Sequence, residues 1–361
     1  MKKGTQKMEQ SAHTSLAKPR GNSRYNLIVS LLVGAAVAGA GLYLLVSRAA
    51  GPFVTVNAAQ LTPSGSASIV TDPTVGSALA FGSGSVGTAT CTYPNPDCTG
   101  IPATTVVSKT VQGDFNATTA GQVIDGWHIT GNLNIQASNV TVKNSQIDGT
   151  IDNETGPTHY GPFTVADTTI GPASGCVSLP GIGESNYTAT RVLIRGHDDG
   201  FRMSGNDVTV TDSYAHLCWN PPSIAPPDGS HSDGFQNYCK DSSGGSSVCI
   251  NLTFNHNTID EHDIAGNSAV NAGSNADGSK FGTVTMNDNL FWGGGYTVVT
   301  QWGSGPIWTI HNNRFVDKGW QYAPVDAEGT CANQDWAGNS IVTVDAKYNI
   351  TSTVRAQGCI Q

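Results

Sequence analysis

Charge is scarce in this chain: only 12% of its 361 residues are Asp, Glu, Lys or Arg, against 38% hydrophobic residues and 43 glycines. That balance is too apolar for a disordered chain and too glycine-rich for a helical bundle. Basic residues are the rarer sign. After Arg48 none occurs until Lys109, and from Ala49 onward 11 basic residues face 26 acidic ones, a net of −15. Such a surface repels polyanions, which argues against nucleic acid as a partner. No CxxC pair occurs and the cysteine spacings are irregular, so a structural zinc site is not expected.

What is present begins with one long apolar run. Leu27 to Val46 is twenty residues without a charge, about 30 Å as a helix and so about one hydrocarbon core. Lys2, Lys3, Lys7, Lys18, Arg20 and Arg24 precede it. The positive-inside rule then gives a cytoplasmic tail over 1–26, a single transmembrane anchor over 27–47 and an extracellular remainder. A cleaved signal peptide competes, because small residues follow at Ala49 and Ala58; the length of the run favours the anchor. All eight cysteines fall on the exported side, where an even count implies disulfides. Eight cysteines allow 105 pairings; Cys91 with Cys98 and Cys239 with Cys249 are plausible local closures.

Residues 48–105 are rich in Gly, Ser, Thr and Pro and read as a flexible linker. Beyond them, over 106–361, a loose phrase recurs: a short β-branched run, one or two Asn or Asp, then an apolar residue. It occurs at 139–147 (NVTVKNSQI), 163–170, 191–199, 207–215, 251–259, 283–291, 308–315 and 342–350. Apolar residues alternate inside each run, which is strand periodicity. One such unit cannot cover its own inner face, whereas stacked units bury a continuous interior. The expected fold is therefore all-β, a right-handed parallel β-helix after an N-terminal transmembrane helix and a linker. A β-sandwich shares the short strands but not the repeated phrase.

On this coil pattern the chain resembles the pectate-lyase-like right-handed parallel β-helix superfamily, which includes polysaccharide lyases, polygalacturonase-type hydrolases and uronan epimerases. The resemblance implies action on acidic polysaccharide. It carries over no catalytic residue, because Gly-His-Gly, Arg-Ile-Lys and Trp-Ile-Asp-His motifs are missing from the sequence.

The candidate site comes from the residues themselves. Two successive coils carry a matching phrase, His197-Asp198-Asp199-Gly200-Phe201-Arg202 and His231-Ser232-Asp233-Gly234-Phe235-Gln236. Stacking should bring His197 beside His231 and Asp199 beside Asp233, with Arg202 and Gln236 facing the same way. Glu261-His262-Asp263 would extend the ladder into the next coil. Paired carboxylates can hydrolyse a glycosidic bond. Alternatively, carboxylates can hold Ca2+ against a uronate while Arg or His removes a proton for β-elimination. The same residues could also serve only as corner hydrogen bonds, since Asp-Gly is a common turn pair. The expected catalytic set is His197, Asp199, Arg202, His231 and Asp233. Asp198, Gln236, Trp219, Trp292 and Trp302 would contact substrate, beside a loop wall at 219–230. No resident metal is assigned, with Ca2+ the candidate cofactor, and polysaccharide is the expected partner. A membrane-held adhesin without catalysis is the competing function.

Overall fold

The computed structural model describes residues 67–72, 76–81 and 91–359, apart from 156–157, 237–238, 240–246, 273–279, 301–307 and 328–330. The expected tail and anchor, 1–26 and 27–47, lie outside the described residues. Among the described residues no helix is long and apolar enough to cross a membrane. The chain divides into two units, Met1–Gly84 and Ser85–Gln361. In the first, Ala67–Asp72 and Gly76–Phe81 pair as an antiparallel hairpin.

The second unit is a parallel β-solenoid. Three sheets of nine, nine and eleven strands are visited in the same order on every turn of the chain. The central run of the first sheet contains Val177–Ile182, His197–Arg202, Asp233–Gln236 and Ser268–Asn271. The second contains Val140–Lys143, Phe163–Ala166, Tyr187–Thr190, Val208–Thr211, Leu252–Asn255, Val284–Asn287 and Trp308–His311. Leu193–Arg195, Tyr214–His216, Thr258–Glu261 and Leu290–Gly293 lie in the third. Residues Ile350–Ala356 fold back antiparallel on Ser340–Val344 and end the third sheet.

The recurring Asn and Asp are explained by backbone geometry. Second-sheet strands are bracketed by residues at positive φ: Asn139 and Asn144, Asn186 and Arg191, Asp207 and Asp212, Asn251 and His256. Asn and Asp adopt this left-handed region more readily than other side chains do. Just past the second corner a buried ladder runs through the coils. Asn257 Nδ2 donates to Asn289 Oδ1 (3.0 Å), Asn289 Nδ2 to Asn313 Oδ1 (2.9 Å) and Asn313 Nδ2 to Asn339 Oδ1 (3.0 Å). Inside, alternate residues stack into one core, with Phe201, Phe235 and Phe254 at its centre, all fully buried.

Within the stretch read as linker, residues 91–101 lie along the outer face of the third sheet. The Tyr93 hydroxyl donates to Asp288 Oδ1 (2.9 Å), Thr92 O meets His256 Nε2 (3.0 Å), and Gly100 N donates to Arg191 O (2.8 Å). Four disulfides close the unit, Cys91–Cys98, Cys176–Cys218, Cys239–Cys249 and Cys331–Cys359. Both local closures expected from sequence are among them, and four bridges fit an oxidising environment.

Candidate functional site

The duplicated phrase falls on neighbouring strands of the first sheet, with Phe201 opposite Phe235 and Arg202 opposite Gln236. Its glycines are required by close approach. A Cβ at Gly234 would lie 2.2 Å from Ile259 Cγ2 in the core, and one at Gly200 would lie 2.3 Å from Gly234 O. Gly234 and Phe235 therefore both turn toward the core. That step leaves Asp233 and Gln236 on one side, although regular strand alternation would separate residues three apart. The contacts agree: Gln236 Nε2 donates to Asp233 Oδ2 (3.1 Å), and Arg202 Nη2 to Asp199 Oδ2 (3.3 Å).

Asp199 and Asp233 are adjacent but differently solvated. Asp233, 1% exposed, accepts from four side chains: Ser268 Oγ (2.6 Å), Asn267 Nδ2 (2.9 Å), Asn271 Nδ2 (3.1 Å) and Gln236 Nε2. Burial raises its pKa while these donors pull the other way. Asp199, 8% exposed, has a smaller supply. Its Oδ1 accepts from the Asp233 amide (3.1 Å), and Arg202 lies between it and Glu184, whose Oε1 is 3.9 Å from Nη1. Burial first, then the charge of Asp233, push Asp199 up to about 8 against the pull of Arg202. Both carboxyls are thus shifted upward, Asp199 with one charge partner in Arg202 and Asp233 with four neutral donors around it.

Near the pair stands Glu261, 1% exposed, with no side-chain hydrogen bond and the Gly234 backbone as its polar neighbour. Burial and then the charges of Asp233 and Asp199 hold its pKa well above the carboxylate range. Among the described residues no group of three His, Cys, Asp or Glu is placed to hold a metal ion.

The two histidines of the phrase do not join this group. His197 opens its strand and is fully buried, with Nδ1 donating to Leu179 O (2.8 Å) and burial lowering its pKa. His231 is exposed and precedes its strand, which begins at Asp233. The strand pairing of the two phrases is formed at Phe201–Phe235 and Arg202–Gln236 and does not include His231, which lies in the connection before Asp233. Asp198 accepts from Ser178 and Asn220 and from the Asp199 amide.

Loop 219–230 is a closed structure. Ser230 N donates to Asn220 O and Asn220 N to Ser230 Oγ, each at 2.8 Å. Asn220 Nδ2 also reaches Ser178 Oγ (2.7 Å) one coil earlier, and Cys176–Cys218 ties the base. Trp219 packs under Gly229, where a Cβ would lie 2.5 Å from the ring. Trp292 lies on the third sheet, stacked on His262 at 4.0 Å. Trp302 lies outside the described residues. The structure brings Asp199, Arg202, Asp233 and Gln236 together. Sequence gave little warning of the donors Asn267, Ser268 and Asn271, which share no phrase with the earlier coils. Comparisons with protein-family models, with curated proteins and with solved structures find no match, so the site is argued from its own residues and the chain is assigned to no family.

Proposed function

We propose that this protein is a polysaccharide hydrolase whose acid is Asp199 and whose carboxylate is Asp233. The observation that carries this reading is the juxtaposition of two buried carboxyls in unlike settings, Asp199 beside Arg202 and Asp233 ringed by four neutral donors. Glycosidic cleavage uses such a carboxyl pair as acid and base. Asp199 gives its proton to the leaving oxygen. Asp233 takes a proton from water or steadies the positive sugar centre. Arg202, beside the acid, would meet a uronate carboxylate, which keeps acidic glycans as the substrate class. The apolar run at 27–47 would hold the domain at a membrane with the coils outside.

One observation favours a second reading, an adhesin that binds glycan without cleaving it: both carboxyls are nearly closed to solvent. Incubating the full chain with a panel of neutral and acidic glycans separates the two. Hydrolysis releases reducing ends without ultraviolet-absorbing unsaturated ends, and Asp199→Asn lowers that release by about 100-fold or more. Unsaturated products, or release unchanged in Asp199→Asn and Asp233→Asn, would overturn the assignment. Binding without any product would establish the adhesin.

A further inference from the structure

The outer face of the second sheet carries a feature unrelated to the carboxyl pair. Thr141, Thr164, Thr188, Thr209, Thr253, Thr285 and Thr309 are register partners on seven successive strands. No register shift interrupts these pairings, and every one of the seven is exposed or half-exposed. Coil stacking therefore repeats a hydroxyl and a methyl every ~4.8 Å along the axis. β-Branching restricts χ1, so the array is rigid before anything binds.

The column two residues further along the same strands is uncharged in its middle: Ala166, Thr190, Thr211, Asn255 and Asn287. Thr190 and Thr211 share a hydroxyl contact at 3.2 Å, and Asn287 Nδ2 donates to Asn255 Oδ1 at 2.8 Å. Charge enters only at the ends: Lys143 pairs with Asp125 in this column, and His311 pairs with Asp335, the rung that follows Thr309 in the threonine column. A shallow recess runs over the centre, floored by Thr164, Thr188, Thr209 and Thr253 and edged by Asn186, Asp207 and Asn251.

We propose that this threonine face binds the surface of crystalline water. A glycan groove would need side chains that differ from subsite to subsite and open aromatic rings to stack on sugar; here every rung is the same. A protein partner would be met by varied polar groups and an apolar centre. What matches a long, rigid, uncharged repeat of one hydroxyl and one methyl is a lattice with its own short repeat. Hydroxyls hold lattice waters, and the methyls between them order the rest.

The test is ice growth in a supercooled solution of the purified full chain. The expected result is faceted crystals and a gap between melting and freezing points that rises with protein concentration. Thr188→Tyr with Thr209→Tyr, both at exposed or half-exposed positions, abolishes the gap while the circular dichroism spectrum and melting curve stay unchanged. Tyrosine at Thr351, exposed on the terminal strand, leaves the gap intact. Unshaped crystals with no gap in the unaltered chain overturn the proposal. So does a gap that survives the double substitution, and so does glycan retention lost on that substitution without any effect on ice.

Discussion

Glu261 is the residue whose energetics are least balanced. A carboxyl at 1% exposure with no side-chain hydrogen bond forfeits its hydration and recovers little beyond the Gly234 backbone. Burial keeps it protonated, yet a buried neutral carboxyl without side-chain partners still costs about 1–3 kcal/mol. Glu261→Leu, of similar bulk, should therefore stabilise the protein by about 1–2 kcal/mol in urea denaturation, whereas most core substitutions destabilise. At this scale the sequence was legible where letters repeat: Asp199 and Asp233, with Arg202 and Gln236, meet as their phrase implies. It misled for His197 and His231, because identical letters occupy a strand in one coil and a connection in the other. It was silent on the state of Glu261, since a missing side-chain partner leaves no mark in a sequence.

Strands and corners explain why the phrase repeats. The Asn257–Asn289–Asn313–Asn339 ladder satisfies backbone as well as side chains: Asn289 Nδ2 also donates to Phe254 O (3.0 Å), and its Oδ1 accepts from the Asn257 amide (2.9 Å). Asn289→Ala strips partners from several buried groups at once and should cost about 3 kcal/mol. Asn287→Ala, two residues away on the outer face, should cost about 0.5 kcal/mol or less. Paired denaturation curves check both. Six of the eight sequence phrases contain second-sheet strands. The other two, 191–199 and 342–350, contain third-sheet strands, Leu193–Arg195 and Ser340–Val344. The confusion has a physical origin. Both sheets turn alternate apolar residues to one core, so a three-residue run does not say which sheet it joins. The true second-sheet strand of that coil, Tyr187–Thr190, hides behind a small Ala189 in the inward position.

For the whole molecule, protons favour the fold across neutral pH. Asp199 rises from 3.8 to about 8 on folding. Its contribution is complete below the unfolded value and is lost as pH climbs through the folded one, at up to about 1.4 kcal/mol per unit. Asp233 and Glu261 shift the same way, and so does His256, raised by its Asp212 partner against the opposing effect of burial. His197 opposes them, since its lowered pKa withdraws stability as pH falls below 6.5. Between pH 8 and 6.5 the carboxyls and His256 prevail, so the melting temperature should rise on acidification across that interval. Asp199→Asn should flatten the rise. The segment 91–101 adds a consequence of another kind. The chain meets the solenoid at Tyr93, against Asp288 of a late coil, then runs back past Arg191 before starting the first strand at Lys109. A pull on the N-terminal side would thus load late coils first and act along the strap. The hydrogen bonds and the Tyr93 contact would resist together in shear, and the first coil would be spared from unzipping rung by rung.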